Sequence, residues 1–421
     1  MASASAAPAE GSMRAGDATE LPPFKLERYF AKWEFTAPHL LCCSDCEPLQ
    51  LGELLGLADK DSLSRWENLR LSYGETRGMP ELREEIAKLY DSVTPDNVIV
   101  AAPQECVYLA MRALLRPGDH VVVTYPGYQS LYQMALSLGC EVELWGLELG
   151  PEGAAAFDVE KFKALLRPTT RLAVVNFPHN PSGWLPGGAQ WGDIVGACRG
   201  VGAHLFSDEI YRLMEFDPAA RLPAAADVYD KAISLGGLSK AFGLPGLRVG
   251  WLAVQPAMRP FLDRVAELRD YTTICGSQPS ELLGLVALRA REAVLERSMR
   301  TVRGNLEVLA AFMKEWSHVF RYSPPAAGSV GFPSLQPLYR PGESVEAFCD
   351  RLVQACGVLL LPASVYDHCP SEAGRHFRVG LGRRDLPACL EVLRGFLREE
   401  AGLGPGGAEG QGGAAEAVQA E

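Results

Sequence analysis

Lys240 lies in an apolar, glycine-rich stretch, residues 234–251, between two predicted strands. Desolvation there lowers the pKa of an ammonium group, and a neutral amine can form a Schiff base with an aldehyde. Arg248, eight residues later, offers a forked cation that suits a phosphate. A lone lysine in a loop is more often only a solvated charge. Taken with Arg248, however, Lys240 indicates pyridoxal phosphate.

Three further polar residues follow predicted strands. Asp208 comes at the carboxyl end of one, where ligands of parallel sheets bind, and it is a candidate partner for a pyridinium nitrogen. A helix N-cap is the alternative role for this aspartate. Tyr211 and Asn180 are candidate donors to a phenolate oxygen. Residues 180–183, Asn-Pro-Ser-Gly, are also an ordinary turn signal.

The elements that must position these residues alternate short apolar runs with helical periods. Such alternation predicts a mostly parallel sheet covered by helices. The predicted strands are 97–101, 120–125, 141–147, 171–177, 204–207, 231–235 and 247–254, and the predicted helices are 80–90, 105–115, 128–138, 159–166 and 193–199.

Beyond residue 280 the pattern changes. Long helical periods over 280–316 give way to short strands near 328–335, 358–361 and 376–380 and a final helix over 386–400, which predicts a smaller α+β domain. A chain of 421 residues also corresponds to two to three domains at roughly 150 residues each. We predict disordered tails at 1–20 and 403–421, a small domain formed by 21–70 and 301–402, and a cofactor-binding large domain at 71–300.

Composition excludes several classes of protein. The 40 basic and 52 acidic residues give a net charge of −12, which argues against nucleic-acid binding and against anionic membranes. No stretch is typical of a membrane helix, a signal peptide or a transit peptide, so we expect a cytoplasmic protein. Eleven scattered cysteines fit reduced thiols. Cys42, Cys43 and Cys46 include one C-x-x-C, but no second ligand pair accompanies it, and we expect no metal.

Together the motifs resemble one family. In order and spacing they are similar to the class I and II aminotransferases, which have fold type I and use pyridoxal phosphate. The resemblance covers residues of about 24 to 400. It includes tracts, such as residues 125–145, that look most like the capreomycidine synthase-like subgroup. The motifs that carry the family resemblance are Ser239-Lys240 with Arg248, Asp208-x-x-Tyr211 and Asn180-Pro181-Ser182-Gly183.

The resemblance implies a role for each motif residue. Lys240 becomes the Schiff-base lysine and the proton carrier. Asp208 pairs with the ring nitrogen, Asn180 and Tyr211 bind the phenolate oxygen, and Arg248 binds the phosphate.

Other residues receive roles by the same resemblance. Tyr128 is similar to the aromatic residue that stacks on the cofactor ring, and Ser239 belongs to the cofactor site. Arg378, together with Asn180, corresponds to the residues that grip the substrate α-carboxylate. Tyr73 resembles the tyrosine that reaches the phosphate of the neighbouring subunit, which implies a homodimer.

Two positions depart from the family pattern. Gly237 stands where many relatives carry a serine that binds the phosphate. Pro103 lies in the turn before a helix whose N–H groups bind the phosphate, and proline has no N–H to donate. Gln104 and Glu105 keep theirs, provided that the Glu105 carboxylate points away. The sequence therefore predicts Pro103 and Gln104 in the phosphate site and a weaker affinity for the cofactor.

The leading functional hypothesis is an aminotransferase that moves an amino group between an L-amino acid and a 2-oxo acid. Elimination, replacement, cyclisation or oxidation of an amino acid by the same cofactor is the first alternative, because the cofactor contacts are shared. A catalytically inactive scaffold is the second. Retention of Lys240, Asp208, Tyr211 and Arg248 argues against a scaffold.

Overall fold

The computed structural model describes residues 21–150, 154–366 and 375–400. Within them, a seven-stranded sheet forms the centre of the larger part, and short strands form small sheets. The strands are β1 (Val98–Ala101), β2 (His120–Tyr125), β3 (Glu141–Gly146), β4 (Glu148–Leu149), β5 (Ala155–Ala156), β6 (Thr170–Asn176), β7 (His204–Asp208), β8 (Ala232–Gly237), β9 (Gly250–Val254), β10 (Phe320–Arg321), β11 (Val330–Gly331), β12 (Ser334–Leu335), β13 (Leu361–Pro362) and β14 (Phe377–Gly380).

The central sheet has the order β1, β9, β8, β7, β6, β2, β3. Strands β8, β7, β6, β2 and β3 pair in parallel, and β9 runs antiparallel to both of its neighbours. The interior strands are continuous apolar runs because helices cover both faces of the sheet. The prediction of a mostly parallel, helix-covered sheet is confirmed.

Helices surround the sheet and build the smaller part. Those in the described chain are α1 (Lys25–Trp33), α2 (Leu51–Leu55), α3 (Lys60–Glu67), α4 (Pro80–Ala87), α5 (Pro103–Leu114), α6 (Ser130–Ser137), α7 (Val159–Leu165), α8 (Gly188–Val201), α9 (Ala225–Val228), α10 (Arg259–Arg269), α11 (Gln278–Arg289), α12 (Arg291–Glu315), α13 (Val345–Cys356) and α14 (Leu386–Glu400). The sequence predictions missed α9, α10, α13 and the helices before residue 80.

One predicted strand starts too early. The sequence predicts a strand over 247–254, but β9 begins at Gly250. Pro245–Leu247 forms a short 3₁₀ turn, and Arg248 has a φ of 56° in the left-handed region. This backbone cannot join a sheet ladder, so the predicted strand loses its first three residues to a turn.

The smaller part combines helices with short antiparallel strands. Strand β14 lies between β11 and β13, and α13 and α14 pack beside them. The N-terminal segment joins this part, because His39 bridges to Val358 and Leu26 shares an apolar cluster with Leu359. An α+β region is thus present beside the large sheet. The predicted tails, 1–20 and 403–421, lie outside the described residues.

Two further features bear on the expectations from composition. Among the described residues, no helix is long and apolar enough to cross a membrane. The ten described cysteines are all free, and most are buried. Buried thiols such as Cys42 and Cys46 therefore pack as small apolar side chains.

Candidate active site

A cavity of about 470 Å³ opens at the carboxyl ends of the central strands. Its wall combines residues after β6, β7 and β8 with the N-terminus of α5, helix α1 and residue Arg378 of β14. Ten of the eleven residues singled out from the sequence line it, and they come from segments far apart in the chain. These ten are Pro103, Gln104, Tyr128, Asn180, Asp208, Tyr211, Ser239, Lys240, Arg248 and Arg378.

Lys240 enters the cavity from the turn that follows β8. Its Nζ donates a hydrogen bond of 2.8 Å to Ser44 Oγ and lies 5.9 Å from the ring centre of Tyr211. The carbonyl oxygen of Ser44 in turn accepts from the hydroxyl of Ser329. A hydroxyl partner neither neutralises nor blocks the amine, so Lys240 is held in place yet available to a ligand.

Asp208 ends β7 and is almost completely buried. Burial raises the pKa of its carboxyl to about 7, against the lowering effects of the Ile210 N–H and the Lys240 cation. The Ile210 N–H donates to Oδ1 over 3.1 Å. The Ile210 hydrogen bond and the Lys240 charge do not offset the cost of burying this carboxylate, so it favours a cationic group of a ligand as its partner.

Asn180 and Arg378 meet in the cavity wall. Arg378 Nη1 donates to Asn180 Oδ1 over 3.2 Å, and Arg378 Nε donates to the carbonyl of Cys42 over 3.1 Å. The guanidinium is 2% exposed and has no carboxylate partner among the described residues. A desolvated cation without a counter-ion is suited to an anionic ligand group.

Tyr128 covers the cavity together with α1. Its hydroxyl donates to Glu27 over 2.7 Å, and its ring lies 4.8 Å from the ring of Phe24. The backbone N–H of Lys25 also donates to the neighbouring Gln129 side chain. These contacts hold helix α1 against Tyr128 and Gln129, and residues of this helix line the cavity.

Comparison with known proteins identifies the fold and its chemistry. The family model "Aminotransferase class I and II" matches residues 60–385. The chain belongs to this family.

Named relatives agree with the match. The chain is 31% identical to capreomycidine synthase of Streptomyces vinaceus, over 82% of this chain and 87% of that protein. It is 31% identical to arginine–pyruvate transaminase of Pseudomonas aeruginosa, over 73% and 77%. A solved PLP-dependent aminotransferase from Streptococcus suis aligns with a TM-score of 0.82 and 31% identity, covering 90% of this chain and 98% of that one.

This class I and II aminotransferase is therefore a fold type I enzyme that uses pyridoxal phosphate. The residues present fit the cofactor. The hydroxyl of Ser239 is buried in the cavity wall without a hydrogen-bond partner in the described chain, as a phosphate ligand requires. The N–H groups of Gln104 and Glu105 lie in the first turn of α5, where no helix acceptor reaches them.

The two departures from the family pattern are sterically linked in this aminotransferase. Pro103 occupies the first position of α5. A backbone N–H at the first position of a helix has no acceptor within the helix, so proline there removes no helical hydrogen bond. A Cβ at Gly237 would lie 3.2 Å from Pro103 Cγ and 2.7 Å from Ile210 Cδ1, and one at Gly250 would lie 2.8 Å from Pro103 Cγ. Ile210, which has the nearest atom, and the proline ring together crowd the space that a side chain at position 237 would need.

The Glu105 carboxylate satisfies the condition set from the sequence. It accepts hydrogen bonds from the hydroxyls of Thr272 and Thr273, at 2.6 and 2.8 Å, and does not line the main cavity. The helix N-terminus of the aminotransferase thus keeps its donors free of this negative charge.

Tyr73 is the predicted site residue that does not reach the cavity. It is 84% exposed and lines a separate surface depression with residues 275–279. Its predicted contact is with a neighbouring subunit, so the position in one chain leaves that role a prediction.

Sequence reasoning missed several residues of the cavity wall. Their segments carry no motif, because helix α1 and the residues before α2 contain ordinary charged and small side chains. The sequence analysis predicted no helix at α1, and a hydrophobic period by itself does not say which part of a protein the buried face of a helix covers. The missed polar residues of the wall are Glu27, Glu34, Ser44, Asp45 and Asn176.

Proposed function

We propose that this enzyme transfers an amino group from an L-amino acid with a cationic side chain to a 2-oxo acid. The observation that carries the transfer is the meeting of Lys240, Asp208 and Arg378 in one cavity. A lysine amine, a buried carboxylate and a desolvated guanidinium are the groups needed to move a proton, balance a ring cation and bind a carboxylate.

Pyridoxal phosphate supplies an aldehyde that binds amines and a ring that accepts the electron pair released at the substrate α-carbon. Lys240 Nζ removes the proton from the substrate α-carbon and returns it to the carbon of the cofactor aldehyde group. Ser44 Oγ, 2.8 Å away, holds Nζ between these steps. Asp208 keeps the proton on the ring nitrogen, since its buried carboxylate has that cation as its partner.

The remaining contacts orient the ring and the phosphate. With the cofactor bound, the Tyr211 hydroxyl and the Asn180 side-chain amide would donate to the phenolate oxygen, and the Tyr128 ring would pack on the cofactor ring. The groups that we assign to the phosphate are the Arg248 guanidinium, the Ser239 hydroxyl and the N–H of Gln104, with Pro103 shaping the turn. Arg378 binds the substrate carboxylate through its remaining N–H groups.

Three carboxylates of the cavity wall indicate the substrate side chain. Asp45 pairs with Arg383 over 2.8 Å, whereas Glu27 and Glu34 have no basic partner among the described residues. Burial, together with the charges of Asp45 and Glu27, raises the pKa of Glu34. A guanidinium or ammonium group relieves this repulsion. The name of the relative arginine–pyruvate transaminase supports arginine as donor and pyruvate as acceptor.

The test is a visible spectrum of the holoenzyme before and after each of L-arginine, L-alanine and L-aspartate, followed by product analysis with pyruvate. We expect arginine to convert the cofactor band to the pyridoxamine form and alanine to accumulate only when pyruvate is present. Lys240→Ala should abolish turnover. Absence of any conversion with all three donors would rule out the proposal.

A second candidate is another reaction of an amino acid with the same cofactor, such as cyclisation or elimination. The likeness to capreomycidine synthase, which covers more of the chain than the likeness to the transaminase, favours it. A product that forms from arginine at full rate without any 2-oxo acid would support this candidate over transamination.

A further inference from the structure

Tyr366 lies behind the wall of the cavity rather than in it. It ends the short 3₁₀ turn Ala363–Tyr366 and is 1% exposed. Its hydroxyl accepts a hydrogen bond of 2.7 Å from Arg378 Nη1 and donates one of 3.1 Å to Asn180 Oδ1. One buried hydroxyl therefore joins two residues that line the cavity.

This hydroxyl restricts how Arg378 can meet a ligand. Nε is used by the Cys42 carbonyl, and Nη1 is used by Tyr366 and Asn180. Nη2 makes no hydrogen bond with the described residues and remains for a ligand. Because the guanidinium is anchored along one side, it presents one edge to the cavity without a search among rotamers.

The same hydroxyl helps to set the Asn180 amide. Oδ1 accepts from both Tyr366 and Arg378, so Nδ2 must face the other way, into the cavity. A flipped amide would place its N–H donors against the N–H of Arg378. Burial keeps the pKa of Tyr366 above its ordinary value, so the hydroxyl retains its proton at neutral pH.

We infer that Tyr366 is a positioning residue for recognition of the substrate carboxylate, acting through Arg378 and Asn180. The inference rests on the proposed function in one respect, that Arg378 binds this carboxylate. Since Tyr366 is not part of the cavity wall, it affects a ligand only through the residues it holds.

The test compares L-arginine with agmatine, the same molecule without its carboxylate, in spectral titrations of the holoenzyme. The spectra are read in the rapid binding phase, before arginine converts the cofactor, so these titrations report dissociation constants and need no turnover. Tyr366→Phe removes the hydroxyl and keeps the buried ring. We expect the preference for arginine over agmatine to fall about tenfold, as for one lost hydrogen bond to a charged group, with agmatine binding unchanged.

A matched control is Tyr229→Phe. Tyr229 is also buried, and its hydroxyl donates to the Ala203 carbonyl over 2.7 Å, outside the cavity. It should leave the preference unchanged. In an Arg378→Lys background, Tyr366→Phe should cause no further loss of preference, because the two residues act together.

The outcomes separate the two proposals. A wild-type preference that Tyr366→Phe leaves intact overturns the role of Tyr366 alone, as does an equal loss for both ligands. A wild type that binds arginine and agmatine equally overturns the carboxylate site and this inference with it. If Tyr366→Phe does not fold, Tyr366→Leu replaces it, since leucine also lacks a hydrogen-bonding group, and an unchanged preference again contradicts the inference.

Discussion

Asp208 shows how burial prepares a single residue for its partner. At the end of a central strand the Asp208 carboxyl group is shielded from water, and this desolvation raises its pKa to about 7. Without a ligand the group is costly to ionise, whereas a ring cation beside it makes ionisation favourable. The residue thus favours a protonated ring nitrogen over a neutral one.

A pH-dependent stability of the apoenzyme follows from this burial. The folded-state pKa lies above the unfolded value, so the contribution of this carboxyl to stability is full below about pH 4 and is lost as pH rises to 7. A shift of about three units corresponds to about 4 kcal/mol. Denaturant unfolding of the apoenzyme at pH 5 and pH 8 should show a smaller loss for Asp208→Asn than for the wild type. Equal losses in the two proteins would contradict this explanation.

Glu34 is the residue through which the side-chain preference is tested. Glu34→Gln removes one of the two carboxylates without a basic partner and leaves the contact of Glu27 with Tyr128 intact. We expect KM for L-arginine to rise about fivefold, as for about 1 kcal/mol from a partly exposed charge pair, and KM for L-alanine to stay constant.

Steady-state kinetics with both donors provide the measurement. Glu307→Gln, on the exposed face of α12, is the control and should change neither constant. Equal changes for arginine and alanine in Glu34→Gln would argue against a cationic side-chain site.

At the scale of elements, the turn between β8 and β9 positions the lysine. Gly243 has a φ of 62°, and its N–H donates to the Lys240 carbonyl. A Cβ there would lie 2.8 Å from the Glu47 carbonyl oxygen. Only glycine allows both this backbone conformation and the close approach of the N-terminal segment that carries Ser44.

Gly243→Ala should therefore disturb the site as well as the fold. We expect the free energy of unfolding to fall by about 1–3 kcal/mol, as for a strained left-handed residue, and the affinity of the apoenzyme for pyridoxal phosphate to fall too. Gly246→Ala, in the same turn with no atom within 4 Å of its new Cβ, is the control. Unfolding curves and cofactor titrations that do not distinguish the two variants would contradict the prediction.

At the scale of the whole molecule, one exposed apolar region indicates a contact with another protein chain. Leu71 and Tyr73 are 83% and 84% exposed. Leu71 and Tyr73 border residues 275–279 around one surface depression. Large apolar side chains gathered on a surface mark an interaction site, and the predicted contact of Tyr73 with a neighbouring subunit fits a second copy of this chain.

The homodimer prediction is tested by sedimentation and by mixed subunits. We expect a dimer in solution and weaker cofactor binding in Tyr73→Ala. Lys240→Ala and Tyr73→Ala subunits, each impaired alone, should recover activity when mixed, because one site of the hybrid holds both native residues. A monomer, or no recovery in mixed dimers, would refute the shared site.

The sequence by itself determined the fold class, the family and the cofactor, and the comparisons confirm all three. The reason is local: Asn180, Asp208 and Lys240 each follow a buried strand, and parallel strands end at one edge of a sheet. The sequence therefore predicts that these three residues lie in one site, although they are far apart along the chain. The turn at Arg248 escaped this reading because an apolar run continues through it.

Only the tertiary structure decided which other residues complete the cavity. Glu27 meets Tyr128 across 101 residues, Ser44 meets Lys240 across 196, and Tyr366 meets Asn180 across 186. Glu27, Ser44 and Tyr366 belong to no sequence motif. The role of a single hydroxyl or carboxylate depends on the residues that pack against it in the folded protein. The crowding of position 237 by Ile210 and Pro103 has the same origin, since it depends on side chains from separate segments that pack against β8.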